Sequence, residues 1–387
     1  MTRSTTPLTV LMTTDTIGGV WNYAIELCGA LNAFDIRVVL ATMGLPLSRQ
    51  QRAAAASLRN IIIKESEYRL EWMDDPWKDI EKAGEWLLSL EAWYRPDIIH
   101  LNNYAHGDLP WNAPVMVVGH SCVYSWFEAV KRSSPPDAWS AYHRRVTSGL
   151  GAADRIVAPS RAMMSALCRH YGPFRRFRLQ VIHNGGALWA AGPKAIHEPL
   201  IVSAGRIWDE AKNMALLDRI APKLDWPIAV AGDCRHPNGN ILPLYHIRGL
   251  GKIPHKELMS LFAQASIYVS TALYEPFGLS SLEAGLCGCA LVLPDIPGSR
   301  EIWGNNALFA SPRDDDEYVA ILRRLIAEPV LLNRTAHAAR AWALRYPVSL
   351  TALRYHGLYC RMLRERGHTL GKDAAGDTVH NMIRSTA

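Results

Sequence analysis

The densest chemistry in the chain lies between Leu273 and Pro294, where two carboxylates, Glu275 and Glu283, bracket a loop that runs into a helix. The loop carries Pro276 and Gly278, and Ser280 and Ser281 follow it. One apolar run, Ile267–Ser270, leads in and another, Ala290–Leu293, closes the unit, which reads strand–loop–helix–strand. A helix start offers free N–H groups and partial positive charge to an anion. A carboxylate on either side accepts hydrogen bonds from hydroxyls. An anion joined to a polyol describes a nucleotide sugar. A local role is also open: Ser280 and Glu283 have capping-box spacing, in which Glu283 would only satisfy backbone N–H groups.

A second charged set follows the strand Leu200–Ala204, which ends at Gly205-Arg206, with Lys212 ahead of a helix from about Met214 to Leu224. Two cations at a strand's carboxyl end could neutralise a diphosphate, Arg206 bidentately. Surface ion pairs with Asp209 and Glu210 are the alternative. Near the start, the strand Leu8–Met12 leads to Gly18-Gly19, and Val20, Ala24, Leu27 and Leu31 then share a helical face. The glycine pair would let a ligand approach the backbone, or would simply make a tight turn. It lacks the third glycine of the dinucleotide fingerprint, which argues against a dehydrogenase. His120 follows the strand Pro114–Gly119, where ligands bind in doubly wound sheets. His106 is a weaker lining candidate. Trp72, Trp77, Trp86 and Trp93 read as packing residues or as an acceptor platform. Arg175, Arg176 and Arg178, with Phe174 and Phe177, read as a solvated loop or as a contact for anionic headgroups.

The elements that must position these groups form two series. A length of 387 residues suits two domains. With 49% hydrophobic residues the chain is globular, and a net charge of +6 is too small to argue for nucleic acid. Seven irregularly spaced cysteines read as reduced, buried thiols of a cytoplasmic protein. No signal segment and no span of about twenty apolar residues is evident. Ile36–Ala41, Ile61–Lys64, Asp97–Leu101, Arg155–Ala158 and Leu179–Ile182 are further strands of the first series. Ser160 caps a helix over Arg161–Tyr171. Residues 1–186 therefore make a first doubly wound parallel-sheet domain. Residues 187–199 are a Gly-, Ala- and Pro-rich linker, and 200–348 a second domain, with strands at Ile228–Ala231 and Ile247–Gly251. Residues 349–387 are an amphipathic helix to about Arg364, packing back on the first domain, and a frayed polar tail.

Taken in order, these residues resemble the retaining glycosyltransferases of family 4. The stretch Glu275-Pro-Phe-Gly-Leu-Ser-Ser-Leu-Glu283 is similar to that family's pair of glutamates with seven residues between them. Gly205-Arg206 with Lys212-Asn213, Ala158-Pro159-Ser160 and Asn184-Gly185 match in order and spacing, although His183 stands where the family often has proline. The resemblance implies a GT-B fold: α/β, two Rossmann-like domains facing a central cleft. It implies that Arg206 and Lys212 hold the donor diphosphate, with Gly18 and Gly19 approaching from the other domain. Glu283 would bind the ribose. Glu275, with the backbone at Phe277, Gly278 and Leu279, would hold the transferred sugar. His120 would lie near the reacting sugar, and the base would rest against Gly251–Ile253. The implied partners are a nucleotide-sugar donor and a glycan, lipid-linked or small hydroxyl acceptor, with no cofactor and no metal. A sugar-nucleotide epimerase and a non-catalytic binding subunit are the alternatives on this fold.

Overall fold

The computed structural model describes residues 7–187, 197–236, 239 and 241–384, with side chains through Gly367. In the first half, β1 (Leu8–Asp15), β2 (Ile36–Met43), β3 (Ile61–Glu65), β4 (Ile98–Leu101), β5 (Val115–Val118), β6 (Arg155–Ala158) and β7 (Leu179–Val181) form one sheet in the order β3-β2-β1-β4-β5-β6-β7. In the second half, β8 (Glu198–Ala204), β9 (Ile228–Ala231), β10 (Arg248–Gly249), β11 (Ala265–Val269), β12 (Ala290–Pro294) and β13 (Leu308–Ala310) form another, in the order β10-β9-β8-β11-β12-β13. Every strand pair is parallel. Helices cover both faces, so short strands such as β5, β6 and β12 are buried along their whole length and read as unbroken apolar runs.

Alternation along β1 divides the first core. Val10 and Met12 face the helix Gly19–Leu31, while Leu11 faces the cluster built on Leu87, Val146 and Leu167. In the second domain Val202 and Ala204 face Phe262, Leu282 and Trp303, and Ile201 faces Leu217, Tyr318 and Leu322. The last helix, Val348–Arg384, leaves the second domain and lies on the first. Its Ala352, Tyr355, Leu358, Tyr359 and Met362 join the cluster around Val10 and Tyr23. The Tyr23 hydroxyl donates to that of Tyr355 at 2.7 Å, and Tyr359 bonds to His100 at 2.7 Å.

Three expectations are corrected. The tail after Arg366 is helical through Arg384 rather than frayed: no proline interrupts it, and its glycines, costing about 1 kcal/mol each, do not stop a helix already growing. The helix at Met214 ends at Ile220 and tightens into a 3-10 turn, Ala221–Lys223, because Pro222 has no N–H to continue it. Of the cysteines, Cys28, Cys122, Cys287 and Cys289 are buried, but Cys168, Cys234 and Cys360 are only half-buried; all seven are free thiols. The linker expected at 187–199 falls largely on 188–196, outside the described residues.

Candidate active site in the interdomain cleft

In each sheet the strand order reverses beside the first strand, between β1 and β4 and between β8 and β11. At such a switch the loops leave in opposite directions and open a crevice at the strands' carboxyl ends. Gly18 and Gly19 follow β1, Asn102 follows β4 and His120 follows β5. Arg206 and Lys212 follow β8, and Glu275 to Leu279 follow β11. The two switch points face each other.

The domains are closed on one another. A Cβ added to Gly18 would lie 3.3 Å from Arg206 Nη1, so the second domain's guanidinium reaches the first domain's glycine loop. The Tyr274 hydroxyl accepts from the Cys122 N–H at 3.2 Å and bonds to Ser125 Oγ at 2.7 Å. Glu301 accepts from the N–H groups of Arg161 and Ala162 at 2.7 and 2.8 Å, at the start of the helix Arg161–Tyr171. That helix is also capped by Ser160, as expected.

On the first-domain wall the helix Gly19–Leu31 starts at Gly18 with no side-chain cap, and nothing lies within 4 Å of where a Gly19 Cβ would be. Asp15 Oδ1 accepts from Ile17 and Gly18 N–H and shapes the turn. Burial pushes the Asp15 carboxyl up, against the pull of the Gly18 N–H and the Arg206 charge. His120 Nε2 lies 2.8 Å from Asn102 Oδ1, and Asn102 Nδ2 donates to the Thr13 carbonyl at 2.8 Å. With the amide so oriented, His120 donates from Nε2 and keeps Nδ1 as an acceptor. Burial pushes its imidazole down to about 3, so it is neutral. The Tyr23 ring meets it edge-on at 4.5 Å.

On the second-domain wall each cation stands on a carboxylate. Arg206 Nη2 donates to Asp209 Oδ2 at 2.6 Å, and Lys212 Nζ to Glu275 Oε2 at 2.5 Å. The Asp209 pair is the one weighed as an alternative above; Glu210 pairs instead with Lys131. The helix Leu279–Leu286 starts from Gly278, whose φ of +87° favours glycine, and has no side-chain cap. Ser280 is thus inside the helix, the capping box does not form, and Glu283 Oε1 accepts from His255 Nε2 at 2.7 Å. The loop is held from behind: a Cβ on Gly298 would sit 2.4 Å from the Glu275 carbonyl oxygen. Phe277 is buried in the core and Leu279 packs against the first domain's cluster. Ile253, beside Gly251 and its φ of +67°, packs on the second domain's core.

Glu26, on the helix Gly19–Leu31, was not singled out in the sequence. It meets His255 and Glu283 across the cleft, and the three offer ligand atoms within 4.8 Å of one another, a set that a divalent ion could use. Burial, then the charge of Glu283, push the Glu26 carboxyl up to about 8. Hydrogen bonding to Glu283 holds the His255 imidazole above its usual range. Asp15 carried a faint signal, three residues before Gly18; Glu26, Trp126 and Tyr274 carried none, because their partners are on the other domain, and His255 carried none, because its partner Glu283 lies far along the chain.

Other candidates fall away from the cleft. His106 is buried, with Nε2 3.0 Å from the Ile80 carbonyl and Nδ1 on Asn103, so it supports the helix Trp77–Tyr94 and lines nothing. Trp86 packs inward while Trp93, at the end of that helix, is 81% exposed. Arg178 donates to the carbonyls of Leu150, Gly151 and Ala153; Arg175, Arg176 and Phe177 face outward. No helix among the described residues is long and apolar enough to cross a membrane.

Two family models match the chain: Glycosyltransferase Family 4 over residues 17–186 and Glycosyl transferases group 1 over residues 194–342. Glycogen synthase from Mycobacterium tuberculosis is 38% identical over 287 residues, 65% of this chain and 66% of that protein. D-inositol 3-phosphate glycosyltransferase from Streptomyces bingchenggensis is 24% identical over 90% of this chain and 85% of its own length. Among solved structures, sucrose-phosphate synthase from Thermosynechococcus elongatus superposes with a TM-score of 0.76 at 17% identity, covering 92% of this chain and all of that one. Anabaena HepE, in complex with UDP and glucose, gives 0.67 at 16% identity over 95% of this chain and all of its own. Facing switch points built from two sheets, with both halves matched in order, fix the assignment: the chain belongs to the family 4, group 1 glycosyltransferases and has their GT-B fold.

Proposed function

We propose that the protein transfers a hexose, with retention of anomeric configuration, from a nucleoside-diphosphate sugar to a hydroxyl of a glycan, lipid-linked sugar or small molecule, without a divalent metal. The observation that carries this is Arg206 reaching across the closed cleft to Gly18, with Lys212 on the same loop. A diphosphate between them would meet two side-chain cations from one domain and an uncapped helix start from the other. The chain matches only 66% of the length of the glycogen synthase relative, so that relative's substrates are not carried over.

In this reading the bond from the anomeric carbon to the phosphate oxygen breaks, and its electron pair leaves with the nucleoside diphosphate. The acceptor oxygen bonds to the same face of the carbon, and its proton passes to the leaving phosphate oxygen. Negative charge grows on the phosphate, where Arg206 and Lys212 stand ready, so they would stabilise the transition state more than the ground state. Their present partners, Asp209 and Glu275, hold both in place before the donor arrives. Glu275 would then turn to the sugar hydroxyls and Glu283 to the ribose. His120, neutral, would accept a hydrogen bond at the sugar through Nδ1 without opposing the positive charge that develops there.

The test is a thermal-shift panel of nucleoside diphosphates and their sugars, followed by product analysis. A bound diphosphate raises the melting midpoint in proportion to the logarithm of its concentration over Kd. Transfer with the donor's anomeric configuration kept, and with turnover unchanged in EDTA, is expected. Stabilisation without transfer to any hydroxyl, or an epimerised donor as the sole product, would overturn it.

A further inference from the structure

Asp209 belongs to no motif and lies behind Arg206, yet it is only 6% exposed and its carboxylate accepts from three donors. Its Oδ2 accepts from Arg206 Nη2 at 2.6 Å, and its Oδ1 from the Ala211 N–H at 3.0 Å. The third donor comes from the other domain: Trp126 Nε1 reaches Oδ1 at 3.2 Å. Burial alone would push this carboxyl up, but the charges of Arg206 and Lys212, with the hydrogen bonds from Ala211 and Trp126, together hold it below the usual range. It is an ionised group kept in a closed place, and such a group fixes whatever it binds.

The geometry divides the guanidinium of Arg206 in two. Nη2 is committed to Asp209, and Nη1 is the nitrogen that faces Gly18. Trp126 sits on the helix Val123–Val130, which the second domain grips along its length. Tyr274 holds Ser125 at its start, and Arg313 donates to the carbonyls of Ala129 and Val130 at its end. Of these contacts only the Trp126 indole touches a group that itself holds a cleft cation. Because it joins the two domains, it exists only when they are together.

We propose that Asp209 is a positioning residue for Arg206, and that the Trp126 indole N–H couples cleft closure to it, pinning the carboxylate so that Nη1 is aimed at the diphosphate only in the closed state. The inference rests on the diphosphate reading of Arg206. A guanidinium aimed only on closure would spend less of its attraction on the open complex and more on the transition state, which appears in kcat rather than KM.

The experiment is a double-mutant cycle of Trp126→Phe and Asp209→Asn in the full chain, with turnover, donor KM, nucleoside-diphosphate affinity by calorimetry and melting midpoint measured for each. Trp126→Phe keeps a ring and removes the N–H; it is expected to lower kcat about tenfold, the size of one hydrogen bond to a charged group, with KM within threefold. Asp209→Asn is expected to cost about a hundredfold. The double variant should match Asp209→Asn within threefold, because the indole acts through the carboxylate. Lys131→Ala, which breaks the neighbouring interdomain ion pair with Glu210, should leave turnover within threefold of wild type. Effects that multiply, or a loss from Trp126→Phe that tracks only the melting midpoint, would overturn the coupling. If the wild type binds a diphosphate but transfers no sugar, the transfer reading fails and the same cycle in diphosphate affinity decides this one. If no diphosphate binds, both fall.

Discussion

The first domain offers cleft groups whose charged forms burial disfavours, and the second offers acidic and basic groups in pairs. Burial pushes Asp15 and Glu26 toward their protonated forms and His120 toward its neutral form. Opposite them stand Arg206 on Asp209, Lys212 on Glu275 and His255 with Glu283. The difference follows from what each wall packs against. The first-domain groups sit over a core that continues into the C-terminal helix, and the cationic groups that act on Asp15 and Glu26, Arg206 and His255, belong to the second domain. The second-domain loops at β8 and β11 lie side by side, so each cation finds a carboxylate on its own turn or the neighbouring one. An anion entering from solvent would thus be met by charge on one side and by N–H groups on the other. Both cations are already fixed on carboxylates, so little reorganisation would remain when the leaving charge appears.

The comparison is broken most sharply at Lys212. Lys212→Ala should lower kcat by about a hundredfold or more while leaving the melting midpoint within a few degrees, read by steady-state kinetics beside a thermal melt. A loss of stability with turnover intact would assign Lys212 to holding the Glu275 loop. Glu283→Gln comes next. If the carboxylate serves the ribose, affinity for the nucleoside diphosphate should fall about tenfold, as for a lost hydrogen bond to a charged group, measured by titration calorimetry. Unchanged affinity would leave only its bond to His255.

The pairing of Glu26 with Glu283 sharpens the contrast through pH. Glu26 has a folded-state pKa of about 8, raised from an ordinary value near 4.5. The folded protein therefore holds a proton that the unfolded chain releases, and stability contributed below the ordinary value is lost as pH rises to about 8. Glu26→Gln should raise the melting midpoint near pH 8 and flatten its fall between pH 5 and 8. A parallel curve for wild type and variant would show that burial and Glu283 together do not raise the Glu26 carboxyl. The smallest effect concerns the neutral wall's support. Tyr355→Phe removes the bond to Tyr23, which backs His120, and should cost about 1 kcal/mol in denaturant unfolding. A cost several times larger would mean that the C-terminal helix is held chiefly through that hydroxyl.

The strands were legible because parallel strands buried on both faces are unbroken apolar runs: β6 and β9, and the helix Arg161–Tyr171, carry the limits that the sequence implied. Glycine and charge at strand ends pointed to Gly18, Arg206, Lys212 and the Glu275–Glu283 unit, since those types are costly inside regular elements unless something uses them. His106 misled for the same reason, because a buried histidine bonded to a helix carbonyl has the sequence appearance of a ligand-facing one. Capping-box spacing at Ser280 misled because the helix begins two residues earlier, at a glycine whose left-handed backbone no local pattern announces.

By itself the sequence determined the two parallel sheets and the residue types at their switch points, because burial period and turn chemistry act over a few neighbours. Only the tertiary structure decided that Arg206 reaches Gly18, that Glu26 meets Glu283 and that Trp126 bonds to Asp209. Each of those contacts joins segments far apart in the chain. They depend on how two separately built bodies close on each other, which no local periodicity encodes.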